Sequence, residues 1–220
     1  MSLSAAVLLT NVSFPVFALQ ANQPSASVQE SPSNISDAKT TLMEKLGSIK
    51  YFSADFTQQV LDADGNELKN ASGTLAVKKP NLVYWNTAEP DESLIVSDGE
   101  TLWFLDPFVE QVSAFLIDKA LMNTPILLLT SSDPELWRHY SVSSMHENNF
   151  LIHANDTNSQ VKTLELRFKD KINELDSFTI LDATGQLSTF KLSKMEQNIS
   201  PDSALFNFTI PEGIELDDQR

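Results

Sequence analysis

The stretch Lys78-Lys79-Pro80-Asn81-Leu82-Val83-Tyr84-Trp85 leads into Pro90-Asp91-Glu92-Ser93-Leu94-Ile95-Val96-Ser97-Asp98-Gly99 and then Thr101-Leu102-Trp103-Phe104. β-branched and aromatic residues fill its three apolar runs, and Pro-Asn, Pro-Asp and Asp-Gly break them, so it predicts three strands joined by tight turns. Two of the three Trp residues stand on it, and no catalytic constellation does. Such a sheet is built to cover or receive something apolar. From periodicity alone, strand aromatics fill a core more often than they line a ligand site.

Working outward, the same pattern recurs. Phe52 to Leu61 and Glu67 to Val77 flank the turn cluster Asp62-Ala63-Asp64-Gly65-Asn66. Further strands are expected at 109–115, from Tyr140, at 149–154, around Leu164-Leu166-Phe168, at 174–182 and at 186–197, with a last one carrying Phe206, Phe208 and Ile210. Short connections make neighbours antiparallel. The middle differs: Asp118 to Thr130 lacks alternation, Pro125 opens the apolar run Ile126-Leu127-Leu128-Leu129 as a short helix, and Asp133-Pro134-Glu135 starts another. Near the N-terminus Asn34 caps a helix whose Ile35, Ala38, Leu42, Leu46 and Ile49 recur at helical spacing. The sum is about ten or eleven antiparallel strands, mainly β, curled into an open barrel with helices packed on one face.

Composition limits the function. Fifteen basic against thirty acidic residues give a net charge of −15, which disfavours nucleic acid and anionic membranes and favours basic protein partners. The absence of cysteine removes disulfides and thiolate sites. Leu3, Ala5, Ala6, Val7, Leu8 and Leu9, followed by Val16-Phe17-Ala18, suit a secretory signal over 1–18, although its basic n-region is missing. Residues 19–33, rich in Gln, Ser, Asn and Pro, are expected to be a disordered leader. Residues 34–220 then form the folded domain. No cysteine follows the cleavage point, so no lipid anchor is expected there, and no other apolar run is long enough to span a bilayer.

Chemistry is sparse. His139, His146 and His153 lack metal-ligand spacing. Asp62, Asp64 and Asn66 resemble half a calcium loop, but Gly73 stands where the closing Glu would be, so a hairpin turn is the better reading. There is no nucleophile elbow and no phosphate loop. An enzyme, a metal site and a cofactor are therefore not expected.

The residues resemble the LolA family, periplasmic carriers of outer-membrane lipoproteins. The resemblance runs from about Ser36 to Arg220 and rests on Phe56-Thr57-Gln58-Gln59, the quoted stretch, Pro107-Phe108-Val109-Glu110-Gln111, Asn123-Thr124-Pro125 and Asp217-Asp218-Gln219-Arg220. It implies an unclosed antiparallel barrel with a helical lid over a hydrophobic cavity. It further implies a monomer in the periplasm, without stable membrane insertion, that accepts triacylated lipoproteins from the inner-membrane ABC transporter LolCDE and passes them to the outer-membrane receptor LolB. The family's Arg before the Pro of this turn is said to latch the lid through helix carbonyls; here that position is Lys79, which keeps the charge but loses the planar fork. The expected chamber sets Leu42, Leu46, Ile49, Ile126, Leu127 and Leu129 of the lid against Val83, Trp85, Ile95 and Trp103 of the sheet. The alternatives are a periplasmic lipid or lipopolysaccharide-type binding protein of similar curvature, and a hydrolase on a barrel, against which the poor catalytic inventory speaks.

Overall fold

The structure is a computed structural model and describes residues 32–123, 128–131, 133–170 and 173–220. The expected signal segment, nearly all of the leader, and Pro125, Ile126 and Leu127 lie outside those residues.

Helix α1 spans Pro32–Gly47. It starts just before the expected cap Asn34, with Pro32 at its first position, where a missing N–H costs nothing. Ala38, Leu42 and Leu46, four residues apart, are buried as one stripe, and Ile49 continues it past the end.

Among the described residues twelve strands follow in one sheet. β1 (Tyr51–Leu61), β2 (Glu67–Lys78), β3 (Leu82–Thr87), β4 (Ser93–Asp98), β5 (Thr101–Asp106) and β6 (Gln111–Leu116) form one meander. β7 (Tyr140–His146), β8 (Asn149–Ala154), β9 (Val161–Phe168), β10 (Leu175–Asp182) and β11 (Leu187–Gln197) form a second. The two join through antiparallel pairing of β1 with β11, giving the order β12-β6-β5-β4-β3-β2-β1-β11-β10-β9-β8-β7. The link between the meanders carries α2 (Ile117–Asn123) and α3 (Pro134–Trp137) from one side of the sheet to the other. Leu128, Leu129, Leu136 and Trp137 on that link share one core cluster with α1 and the inner sheet face, so the link crosses over that face.

The curl is measurable. In a flat sheet β3 and β10, four strands apart, would lie roughly 19 Å from each other. Yet the Trp85 and Phe178 rings are 6.0 Å apart, centre to centre. Gly73 on β2 permits part of this closeness: a Cβ there would lie 2.0 Å from the Asn86 carbonyl and 2.7 Å from the Phe56 ring.

The C-terminal region departs from expectation. Phe206 ends a 3-10 turn over Ser203–Phe206, and Phe208 and Ile210 belong to no strand. The last strand is instead β12 (Glu215–Asp218), and it runs parallel to β6. The sheet is thus antiparallel at every pairing except this one. The reason is that Phe206 is needed elsewhere: within the strap from Ser200 to Pro211, the Ser203–Phe206 turn contacts β3 and β4, and Phe206 is buried.

Candidate functional site

Register decides which residues line the inner face. Directly paired residues share a face. Phe52, Val77, Val83, Ser97 and Leu102 form one row across β1 to β5, and Leu75, Trp85, Ile95 and Phe104 form the next. On the other half, Phe190, Phe178, Leu166 and Phe150 form a matching row. These rows share one core cluster with α1 and the link. Phe56, Trp85, Phe178 and Phe190 make a four-ring cluster, with centroids 4.7 Å apart for Phe56 and Trp85 and 4.5 Å for the stacked Phe178 and Phe190. Each such pair adds about 0.5–1.5 kcal/mol beyond burial.

Between the lid and these rows lies a cleft of about 20 Å³, room for about one water. Phe52, Leu75, Val77, Val83, Trp85 and Phe178 line it from the sheet, and Leu129 and Thr130 from the link. The walls are nearly all apolar and the lid rests on them, so the chamber is collapsed in this conformation.

The structure brings together most of the residues expected at the chamber. Leu42, Leu46, Ile49, Val83 and Leu129 are buried in the common core, with Trp85 and Ile95 packed against it. Trp103 is a correction. It pairs with Val96 and Ala114, the row opposite to Trp85 and Ile95, so it faces outward. There it stacks on Phe208 at 5.4 Å and lies under the Arg220 guanidinium at 5.2 Å. The strap needed an aromatic platform, and an outward-facing Trp supplies one. Ile126 and Leu127 lie outside the described residues. Phe178 and Phe190 were missed by the sequence reading; their signal was the two-residue alternation of β10 and β11, which gives parity but not proximity to Trp85.

Among the described residues, specific polar contacts fasten α1. Lys79 Nζ donates to the Leu46 carbonyl at 2.6 Å, an oxygen that also accepts from Ile49 N. A cation on a carbonyl of the last helical turn satisfies an orphan acceptor and complements the dipole. Burial lowers the Lys79 ammonium from its ordinary value to about 8. At the same end Asn173 donates to the Lys45 carbonyl at 2.8 Å, and Asn198 donates to the Ser48 carbonyl at 3.2 Å. Lys45 reaches Asn148 at 3.1 Å over the Phe168 ring. At the other end Lys39 Nζ donates to the carbonyls of Trp137 and, at 3.0 Å, of Tyr140; burial lowers this ammonium too.

Other candidates dissolve. Asp62 accepts from the backbone of Asp64 and Asn66 and from the Asn66 amide, so its carboxylate organises the hairpin turn. His146 pairs with Asn149 and His153 with Ser141, which sets them at opposite ends of the β7–β8 hairpin. Among the described residues no cluster of three His, Asp or Glu could hold a metal.

The comparisons with known proteins address the same region. Residues 47–209 match the model of the family described as outer membrane lipoprotein carrier protein LolA. The outer-membrane lipoprotein carrier protein of Aeromonas salmonicida is 40% identical over 184 residues, covering 84% of this chain and 90% of the relative. The chain belongs to the LolA family. The carrier protein of Photorhabdus laumondii, another LolA relative, is also 40% identical over 184 residues, covering 84% of this chain and 89% of that one. A solved LolA superfamily protein from Nitrosomonas europaea aligns at a TM-score of 0.44 and 14% identity, covering 77% of this chain and 97% of the other. Among the described residues no helix is long and apolar enough to cross a membrane.

Proposed function

We propose that this protein is a periplasmic, non-enzymatic carrier that masks the acyl chains of triacylated lipoproteins between α1 and the inner sheet face. The observation that carries the reading is the collapsed apolar chamber between the inner sheet face and the Leu129–Thr130 link, in one core with a helix fastened by side-chain hydrogen bonds. Names borne by relatives at 40% identity support the cargo class. We further propose that it takes cargo from the inner-membrane transporter LolCDE and delivers it to the receptor LolB, as a monomer.

The physics of acyl-chain transport matches the closed chamber. Each acyl CH₂ withdrawn from water gains about 0.8 kcal/mol, so long chains do not travel exposed. A carrier must also release them. When the lid's own side chains fill the chamber, cargo must displace Leu42, Leu46 and Ile49 before it gains its own contacts. Net affinity falls by the free energy of closure. Lys79 acts in this reading as a latch, tying the sheet's β2–β3 turn to the lid.

The test is to add the purified protein to spheroplasts and look for lipoproteins in the medium, identified by mass spectrometry. Release of acylated lipoproteins supports the carrier. Recovery of free lipid or lipopolysaccharide without lipoprotein overturns it in favour of a general lipid-binding protein.

A further inference from the structure

The two lysine fastenings are not equivalent, because they stand at different distances from the point where α1 joins the sheet. Its C-terminal end runs through Ser48–Lys50 directly into β1, the central strand of the sheet. That end is also clasped by hydrogen bonds: Asn173 on Lys45 O and Ser48 Oγ, Lys79 on Leu46 O, and Asn198 on both Ser48 O and Lys50 N. Any outward motion of the helix therefore pivots near Ser48. Lys79 binds close to that pivot and Lys39 far from it.

Lever arms follow from helix rise. At 1.5 Å per residue, the Leu46 carbonyl lies about 3 Å from Ser48 and the Lys39 backbone about 14 Å. A swing of about 20° moves the first by about 1 Å and the second by about 5 Å. A shift of about 1 Å stretches the Lys79 hydrogen bond and lets water reach its ammonium without parting the two groups far. A displacement of about 5 Å takes Lys39 Nζ off the two carbonyls it bridges, Trp137 O and Tyr140 O.

We infer that Lys39 is the release catch of the lid: α1 hinges at Ser48–Lys50, and opening is limited by withdrawal of the Lys39 ammonium from the α3–β7 corner, while Lys79 sets the hinge. This rests on the lid-over-chamber reading above but assigns the moving end and the residue that gates it. Lys39 acts through the helix it stands on and touches no cargo, so it is a positioning residue. The bridge suits a catch, because both acceptors are backbone carbonyls at the end of the link that carries Leu136 and Trp137 into the core. Opening therefore frees lid and link together.

The experiment reads motion directly. The chain has no cysteine, so nitroxide pairs at Asp37→Cys with Lys191→Cys, and at Glu44→Cys with Lys191→Cys, report two points on α1 against the exposed face of β11. Distances are measured by pulsed electron resonance with no addition, with dodecyl maltoside, and with a synthetic triacylated lipopeptide. A pivot at Ser48 predicts a shift more than twice as large at Asp37 as at Glu44, from arms of about 17 and 6 Å. Equal shifts, larger shifts at Glu44, or no shift with either compound overturn the hinge. If dodecyl maltoside gives the gradient and the lipopeptide moves nothing, the hinge stands and the cargo assignment fails.

A second measurement tests the catch. Lys39→Met should accelerate hydrogen exchange at amides 38–43 by about tenfold or more, the loss expected for one charge-assisted hydrogen bond, while β9 and β10 amides keep their protection. Lys39→Arg should restore protection. Exchange in 38–43 that is unchanged by Lys39→Met, or raised equally by Lys79→Met, overturns Lys39 as the catch. Should Lys39→Met fail to fold, the distance gradient in the Lys39-bearing protein still decides the pivot.

Discussion

Replacing pH 7 buffer by pH 9 should close the lid more firmly, and the sign is opposite to the one a charge-latch picture suggests. Lys79 in the closed structure has its ammonium lowered by burial from the ordinary 10.5 to about 8. In an open lid water reaches the side chain, and its value returns toward the ordinary one. The closed form therefore binds fewer protons than the open form between pH 8 and 10.5. By linkage, raising pH in that window favours the form that holds fewer protons, which is the closed one. Between pH 7 and 9 the closed-to-open ratio rises by up to about tenfold, less the screening by water at this partly exposed site. The assay is uptake of an anilinonaphthalene sulfonate dye, whose own charge is constant over this range. Lys39 is lowered by burial in the same direction, so the diagnostic quantity is the difference between wild type and Lys79→Arg. Arginine stays charged throughout, and its variant should lose most of the slope. Dye uptake that grows with pH, or an equal slope in Lys79→Arg, would refute the reasoning.

Three further outcomes follow from the packing and the charge. Gly73→Ala places a Cβ against the Asn86 carbonyl and the Phe56 ring and should cost about 3 kcal/mol, read as a drop in denaturant midpoint at constant slope. Trp103→Phe should leave dye and lipopeptide uptake unchanged because Trp103 faces the strap, whereas Trp85→Ala, at the chamber wall, should change both; equal effects would put the two rings on one face. With a net charge of −15, transfer to a basic receptor should slow as salt rises from about 50 to about 500 mM, and salt-independent rates would remove electrostatic steering from the account.

The strands were legible because half-buried sheets alternate with a period of two, and Phe52, Leu75, Trp85 and Phe178 all keep that rhythm. The lid stripe was legible for the same reason at a period of four. Parity between strands was not: Trp85 and Trp103 look alike in sequence, and only the β4–β5 register puts them on opposite faces. The C-terminal strand was misplaced because Phe206 and Phe208 alternate like strand residues while serving an outer-face strap. The acidic β12 has too little apolar content to announce itself. Lys79 was found through a family resemblance. Lys39 carries no local signal at all, since its two acceptors lie about a hundred residues away in the chain.

The unclosed sheet has another consequence, for crowding rather than for cargo. An open sheet has two edges, and an exposed edge is a template for pairing with another copy. Here β12 covers β6 with Glu215, Asp217 and Asp218. Two such edges brought together would set six carboxylates across a single seam, so this border repels its own image. The opposite border, β7, is written Tyr-Ser-Val-Ser-Ser-Met-His and carries no Asp, Glu, Lys or Arg. That border is guarded by the helix packed against it rather than by charge, with Lys39 on the Tyr140 carbonyl.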